Sequence, residues 1–281
     1  SVAQVKEIEQ LSCQHHSITG FQLMKAAGAA SLKLIKKVWP DVDNVLILSG
    51  SGNNGGDGFV IAGLAKEAGI EVQVLQLCSS NDLKGDAKLA CDFACSYDVD
   101  MELFSKHNEI IKNVGIGTVI VDALIGTGLS RIVSGHYSHA IESINSAGCP
   151  VLALDVPSGL NADTGKPMSE AVKADLTITF IGVKQGLLTG EARDYSGHIF
   201  FEKLDLPDSI FESSLALSPP IQRIDINFAN SRLFPRKKSS QKKDHGHVVV
   251  VGGDYGFGGA VILAAEAALR CGSGLVSILS R

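Results

Sequence analysis

Val45-Leu-Ile-Leu48 is an unbroken apolar run that ends in Ser49-Gly-Ser-Gly-Asn-Asn-Gly-Gly-Asp-Gly58, after which apolar residues return at a different spacing. Phe59, Val60, Ile61, Leu64, Ala65 and Ala68 fall on one side of a 3.6-residue repeat, which predicts a helix over Asp57–Ala68 behind a strand at Asn44–Leu48. The same alternation continues. Strands are predicted at Val72–Leu77, Thr118–Val121 and Pro150–Leu154, with helices at Gly85–Tyr97 and Ser134–Ala147. Residues 1–40 read as two helices broken near Thr19-Gly20. Strands nearly continuous in Val, Ile and Leu, separated by helices, predict a mostly parallel sheet covered on both faces, an α/β three-layer αβα sandwich of Rossmann-like type. Thr177–Ile181 and His198–Lys203 read as two further strands, close enough together to suggest antiparallel edges.

Near Leu206 the periodicity stops. Pro207-Asp-Ser, Ser213-Ser and Ser218-Pro-Pro220 punctuate a segment that fits neither period, and Arg236-Lys-Lys-Ser-Ser-Gln-Lys-Lys243 places five charges in eight residues. That basic run suits a solvated linker better than a site for an acidic partner or RNA. The pattern then restarts with a strand and glycine turn at His247–Ala260, an alanine-rich helix over Val261–Cys271 and a strand at Leu275–Leu279. So short a β-α-β unit cannot close a core of its own. The expected organisation is one domain over 1–210, a linker over 211–244, and over 245–281 the opening of a second domain that continues in a longer parent.

Composition narrows the classes. The chain has 281 residues, 45% of them hydrophobic and 20% charged, as in a globular protein with a full-sized core. A formal net charge of -5 argues against nucleic acid as the main partner. No apolar stretch approaches the roughly 20 residues a membrane span needs, and no secretory signal opens the sequence, so the expected location is cytoplasmic. Six scattered cysteines without a CxxC pair indicate free thiols in a reducing compartment. Cys91 and Cys95, one helical turn apart, read as small apolar packing rather than as a metal pair.

Three predicted strand ends carry the polar residues: Gly50–Gly58, Asp122–Ile132 and Asp155–Gly165. In a parallel sheet they emerge along one edge, where such folds bind ligands. A glycine loop before a helix N-terminus favours an anion such as phosphate. Gly50-Ser-Gly-Asn-Asn-Gly55 matches the dinucleotide fingerprint GxGxxG, but the next strand ends in Leu77-Cys-Ser-Ser without the acidic residue that holds ribose, which disfavours an ordinary dehydrogenase. The absence of GK[ST] excludes a P-loop. Asn54, Asp122 and Ser158 offer oxygens from three strand ends. A set without His or Cys suits a hard cation rather than zinc. Singly, each residue has a plainer role in a turn or cap.

Leu23-Met24 with Ala26-Ala-Gly28, then GSGNNGGDG, DALIGTGLSR, DVPSGLNADTG, Ala174–Phe180 and Lys184-Gln-Gly186 occur in order. Over roughly residues 1–206 this series resembles the NAD(P)H-hydrate epimerase family, the YjeF N-terminal type. His245–Leu279 resembles the opening of a ribokinase-like NAD(P)H-hydrate dehydratase, whose late glycine-aspartate loop is not in the sequence. The resemblance implies epimerisation of the R and S forms of hydrated NADH and NADPH (NADHX and NADPHX), a likeness to homodimers or higher homo-oligomers, and potassium held by Asn54, Asp122 and Ser158. It also implies substrate contacts at Asn53, Asn54, Gly55, Gly56, Asp57, Gly126, Thr127, Gly128, Leu129, Ser130, Arg131, Ile132 and Asp155. For a parent that includes the dehydratase it implies ADP or ATP as well. The family usually carries Glu where this chain has Lys25.

Hydrated nicotinamide bears a hydroxyl on C6 beside the ring nitrogen, so its epimerisation needs a group that shuttles a proton. Asp155 is the expected acid–base group; Asp57, which also suits a helix cap, and Lys184 are the lesser candidates. The glycine-loop amides and Arg131 are expected to hold phosphate. The competing reading is a non-catalytic nucleotide-binding or scaffold module of the same fold. The intact Asn-Asn-Gly-Gly-Asp and Asp-Val-Pro-Ser loops argue for catalysis instead.

Overall fold

After the first helix, α1 (Val2–His16), Thr19 is the N-cap of the second, α2 (Gly20–Val38). Its hydroxyl accepts from Gln22 N at 3.2 Å while Gln22 Oε1 accepts from Thr19 N at 2.8 Å, a reciprocal cap that satisfies two otherwise orphaned amides. The computed structural model describes residues 1–16, 18–104, 111, 114–115, 117–213, 221, 224–233 and 235–281. Ser214 and Ser218-Pro-Pro220, two of the breaks read above, lie outside them.

Seven strands follow: β1 (Asn44–Ser49), β2 (Glu71–Gln76), β3 (Asp100–Leu103), β4 (Thr118–Ala123), β5 (Val151–Leu154), β6 (Leu176–Phe180) and β7 (His198–Glu202). They form one sheet in the order β3-β2-β1-β4-β5-β6-β7, with every pairing parallel. Side chains alternate across it. Val45, Ile47, Val119, Val121, Leu152 and Leu154 face α2, α3 (Asn53–Glu67) and α4 (Gly85–Cys95), whereas Leu46, Leu48, Ile120 and Ala153 face α5 (His136–Ser146). This is the three-layer α/β sandwich expected from the apolar pattern. Between β1 and β4 the strand order reverses, and that crevice is where such folds bind ligands.

Three details differ from expectation. β6 and β7 are parallel, not antiparallel, because residues 181–197 return over the sheet through two 3-10 turns, Gln185–Leu188 and Ala192–Asp194. A parallel pair needs such a crossover. β3 escaped the periodicity because Asp-Met-Glu-Leu is short, polar and at the sheet edge. Helix α3 starts at Asn53 rather than Asp57.

The chain divides into two compact units, Ser1–Ile221 and Gln222–Arg281. The first also contains α6 (Asp208–Ser213). The second holds α7 (Ile226–Arg232), a short helix in the segment read as aperiodic, and the parallel pair β8 (His247–Val251) and β9 (Leu275–Leu279) with α8 (Gly259–Arg270) between them. Val251, Leu263 and Leu279 of this β-α-β unit remain largely exposed. Arg236–Lys243 is mostly exposed too, and it lies within this second unit, where Arg236 donates to the Gly272 carbonyl.

Candidate active site

The glycines after β1 serve contact more than flexibility. A Cβ on Gly55 would strike the Gly50 carbonyl, one on Gly56 the Met24 sulfur, and one on Gly58 would lie 2.7 Å from Ala123 Cβ. Helix α3 therefore packs hard against β1, β4 and α2, and only Gly50–Gly52 forms the loop. Gly52 is the N-cap and supplies no side chain, so among the described residues the amides that open α3 have no side-chain cap. Asp57 lies inside the helix and caps nothing, which corrects its plainer role. Gly55 and Gly56 are buried and do not line the cleft, in contrast to Asn53, Asn54 and Asp57.

Asn54 is only 8% exposed, and among the described residues both its amide oxygen and nitrogen lack a hydrogen-bond partner. Orphans of this kind are rare in folded proteins and point to a missing ligand or water. Gly126 brings the loop after β4 against it: a Cβ there would lie 3.2 Å from Asn54 Oδ1 and 3.4 Å from Asp155 Oδ2. Asp122, at the end of β4, is fully buried. Its Oδ2 accepts from Ser158 N at 2.7 Å, and its Oδ1 accepts from Ser158 Oγ at 2.5 Å and Leu124 N at 3.2 Å. Ile125 N in turn donates to Ser158 Oγ at 2.8 Å. Burial pushes the Asp122 carboxyl up to about 6 although these hydrogen bonds pull it down. Among the described residues no three His, Cys, Asp or Glu gather to hold a metal. The donors on hand are an orphaned amide oxygen, a buried carboxylate and a hydroxyl. Such a set fits a weakly demanding hard cation.

The acid–base candidates meet at the ends of β5 and β6. Asp155 adopts φ +66° and Ile181 also +66°. Left-handed backbone is uncommon for aspartate and an outlier for a β-branched residue. Lys184, 1% exposed, pairs with Asp155 Oδ1 and donates to the Phe180 carbonyl at 2.7 Å. Asp57 and Glu9 share this neighbourhood. The Asp57 carboxyl is held well above the usual carboxylate range by burial, then by the charges of Asp155 and Glu9, with Lys184 opposing. Glu9 is raised by burial, while Lys184 opposes the shift.

All of this borders one open cleft of about 1150 Å³, lined also by Gly126, Thr127, Gly128, Leu129, Ser130, Arg131 and Ile132. Asp122 and Ser158 lie behind its surface. Lys184, a lesser candidate in the sequence, pairs with Asp155 here, and Glu9, which the sequence reading does not include, also lines the cleft. The only signal for Glu9 was the polar stripe Lys6, Glu9, Gln10, Cys13, Gln14 on α1, which resembles a solvated face but lines the cleft. Lys25 is not among the lining residues; its ammonium lies 4.9 Å above the rings of both Phe21 and Phe93. Cys91 is buried and Cys95 exposed, both as free thiols.

A family model described as YjeF-related protein N-terminus matches residues 20–186. The chain is 41% identical over 278 residues to the bifunctional NAD(P)H-hydrate repair enzyme Nnr of Coxiella burnetii, an alignment spanning 99% of this chain and 55% of that protein. It is 42% identical over 265 residues to the protein of the same name in Escherichia coli (94% and 50%). With the NAD(P)H-hydrate epimerase of Rhodopirellula baltica it shares 34% identity over 203 residues, 72% of this chain and 82% of that one. The crystal structure of yeast ynu0, YNL200c, superposes with a TM-score of 0.65 at 20% identity, covering 76% of this chain and 92% of the yeast chain. That last likeness concerns the fold alone. The chain spans about half the length of the bifunctional relatives it matches.

Proposed function

The chain belongs to the family described as YjeF-related protein N-terminus, and from that premise we propose that its first unit epimerises hydrated NADH and NADPH. The observation that carries this reading is the convergence, in one cleft, of an uncapped helix N-terminus, the orphaned Asn54 amide and the Asp57–Asp155–Lys184 cluster. The substrate carries phosphates, which suit the free amides at the start of α3 and Arg131 at the rim. Its reacting carbon needs a proton donor and acceptor.

The reaction requires no redox step. A proton passes to the C6 hydroxyl, the nitrogen lone pair forms a C=N⁺ bond, and the C–O bond breaks to release water. Water then adds to the other face of C6 and gives up a proton. Asp155 is the proposed proton carrier, held in place by its constrained backbone and by Lys184. Asp57, whose surroundings favour the protonated form, is proposed to donate a hydrogen bond to the substrate beside Asp155 without carrying the transferred proton. Asn54, Asp122 and Ser158 are the proposed holders of potassium, which when bound would offset the buried Asp122 charge and fix the three loops together.

No described helix is long and apolar enough to cross a membrane. For the second unit we propose the opening of an ADP- or ATP-dependent dehydratase domain over 245–281, following an epimerase domain over 1–210 and a linker over 211–244. Exposed apolar faces on both strands and helix of that unit support this. Titration calorimetry with hydrated NADH tests the first proposal. Saturable binding that Asp155→Ala and Asn54→Ala weaken is the expected result, and heats indistinguishable from dilution would exclude it.

A further inference from the structure

Epimerisation moves a hydroxyl from one face of a carbon to the other. The group that protonates the departing hydroxyl must stand on the first face, and the group that deprotonates incoming water on the second. Asp155 cannot serve both by swinging. Its backbone is fixed in the left-handed region, and its carboxylate is pinned by a lysine only 1% exposed. A second group should therefore come from a different element of the cleft.

Helix α1 is that element. Val5 and Ile8 bury one side of it in the core, and Val2 N donates to Asp163 Oδ1 at 2.9 Å, tying its start to the loop after β5. Its opposite stripe, which includes Lys6, Glu9 and Gln10, faces the cleft. Of the other cleft carboxyls, Asp57 belongs to the helix that starts at the β1 end, and Asp86 packs against Gly20 at the start of α2. Among the described residues of the cleft, only Glu9 brings a carboxyl from outside the strand ends and the helices that follow them. Lys184 also has three N–H donors and two acceptors in hand, Asp155 and the Phe180 carbonyl.

We propose that Glu9 is the second proton-handling group of the site, serving the face of the substrate ring that Asp155 does not reach. In one direction Asp155 gives its proton to the departing hydroxyl and Glu9 takes one from the entering water; in the other the roles exchange. Solvent in the open cleft returns both to their starting states. Burial that favours a proton on Glu9, opposed by the Lys184 charge, is consistent with a carboxyl able to hold and release one. The inference rests on the epimerase reading.

The test follows both oxygen exchange and inversion for each pure epimer of hydrated NADH in ¹⁸O-water, using the full chain. Wild type should exchange and invert together. In Glu9→Gln, inversion should fall by about a hundredfold or more, while one epimer still exchanges its oxygen through Asp155 on its own face. Asp155→Asn should preserve exchange in the other epimer. Glu9→Asp should recover part of the inversion, showing that the carboxyl matters rather than the fold. If Glu9→Gln lost both processes in proportion, or neither, Glu9 would not be the second group. Wild type that neither exchanged nor inverted would refute the function itself, and with it this role.

Discussion

Asp122→Asn keeps the shape of a fully buried side chain and removes its charge. In the wild type, burial lifts the carboxyl from its ordinary 3.8 to about 6, so the folded protein binds this proton more tightly than the unfolded chain does. The associated stability is fully present below pH 3.8 and is lost as pH rises through 6. The full loss is about 3 kcal/mol, and between about pH 4.5 and about pH 8 it amounts to about 2 kcal/mol. Asparagine escapes that loss but turns an NH₂ toward either Ser158 N or Leu124 N, which now donate to carboxylate oxygens. Facing a buried donor with another donor costs about 1–3 kcal/mol. The variant should therefore melt below wild type at about pH 4.5 and draw level with or pass it at about pH 8. At about 2–4 °C per kcal/mol, the change in the gap is about 4–8 °C by scanning calorimetry. Potassium chloride at about pH 8, compared with choline chloride at equal ionic strength, should restore the wild-type lead and leave the variant unmoved. A gap independent of pH, or an equal potassium response in both proteins, would refute this account of the buried carboxylate.

Lys184→Met leaves Asp155 without its cation at a largely buried position; epimerisation should drop by at least about a hundredfold, as steady-state rates would show, while the circular dichroism spectrum stays unchanged. Gly56→Ala drives a methyl group into the Met24 sulfur and within 3.3 Å of Ala87 Cα, so urea denaturation should show a loss of about 1–3 kcal/mol from overpacking. Lys25→Glu removes the cation over Phe21 and Phe93. It should cost about 0.5–1 kcal/mol of stability with kcat unaltered, because this side chain does not line the cleft.

The sheet was legible because Val45–Leu48, Val119–Val121 and Val151–Leu154 are buried on both faces and so carry no polar interruption. β3, with Asp100 and Glu102 at the edge, had no such mark. At the site, the order of strand-end loops in the sequence puts Asn54, Asp122, Asp155 and Ser158 along one sheet edge. The helix start was misplaced because Asn-Asn-Gly-Gly-Asp has poor helix propensity, and the close approach of α3 to Gly50, Met24 and Ala123 overrides it. Glu9 was hidden for another reason. A polar helical stripe has the same spacing whether it faces solvent or a cleft, and only the packing of Val5 and Ile8 decides between them.

The central claim is tested most directly with purified R epimer of hydrated NADH, with and without potassium, following R-to-S conversion by chromatography against the slow spontaneous rate. The account predicts acceleration that potassium enhances and Asp155→Ala abolishes. A folded protein that leaves the spontaneous rate unchanged would contradict it.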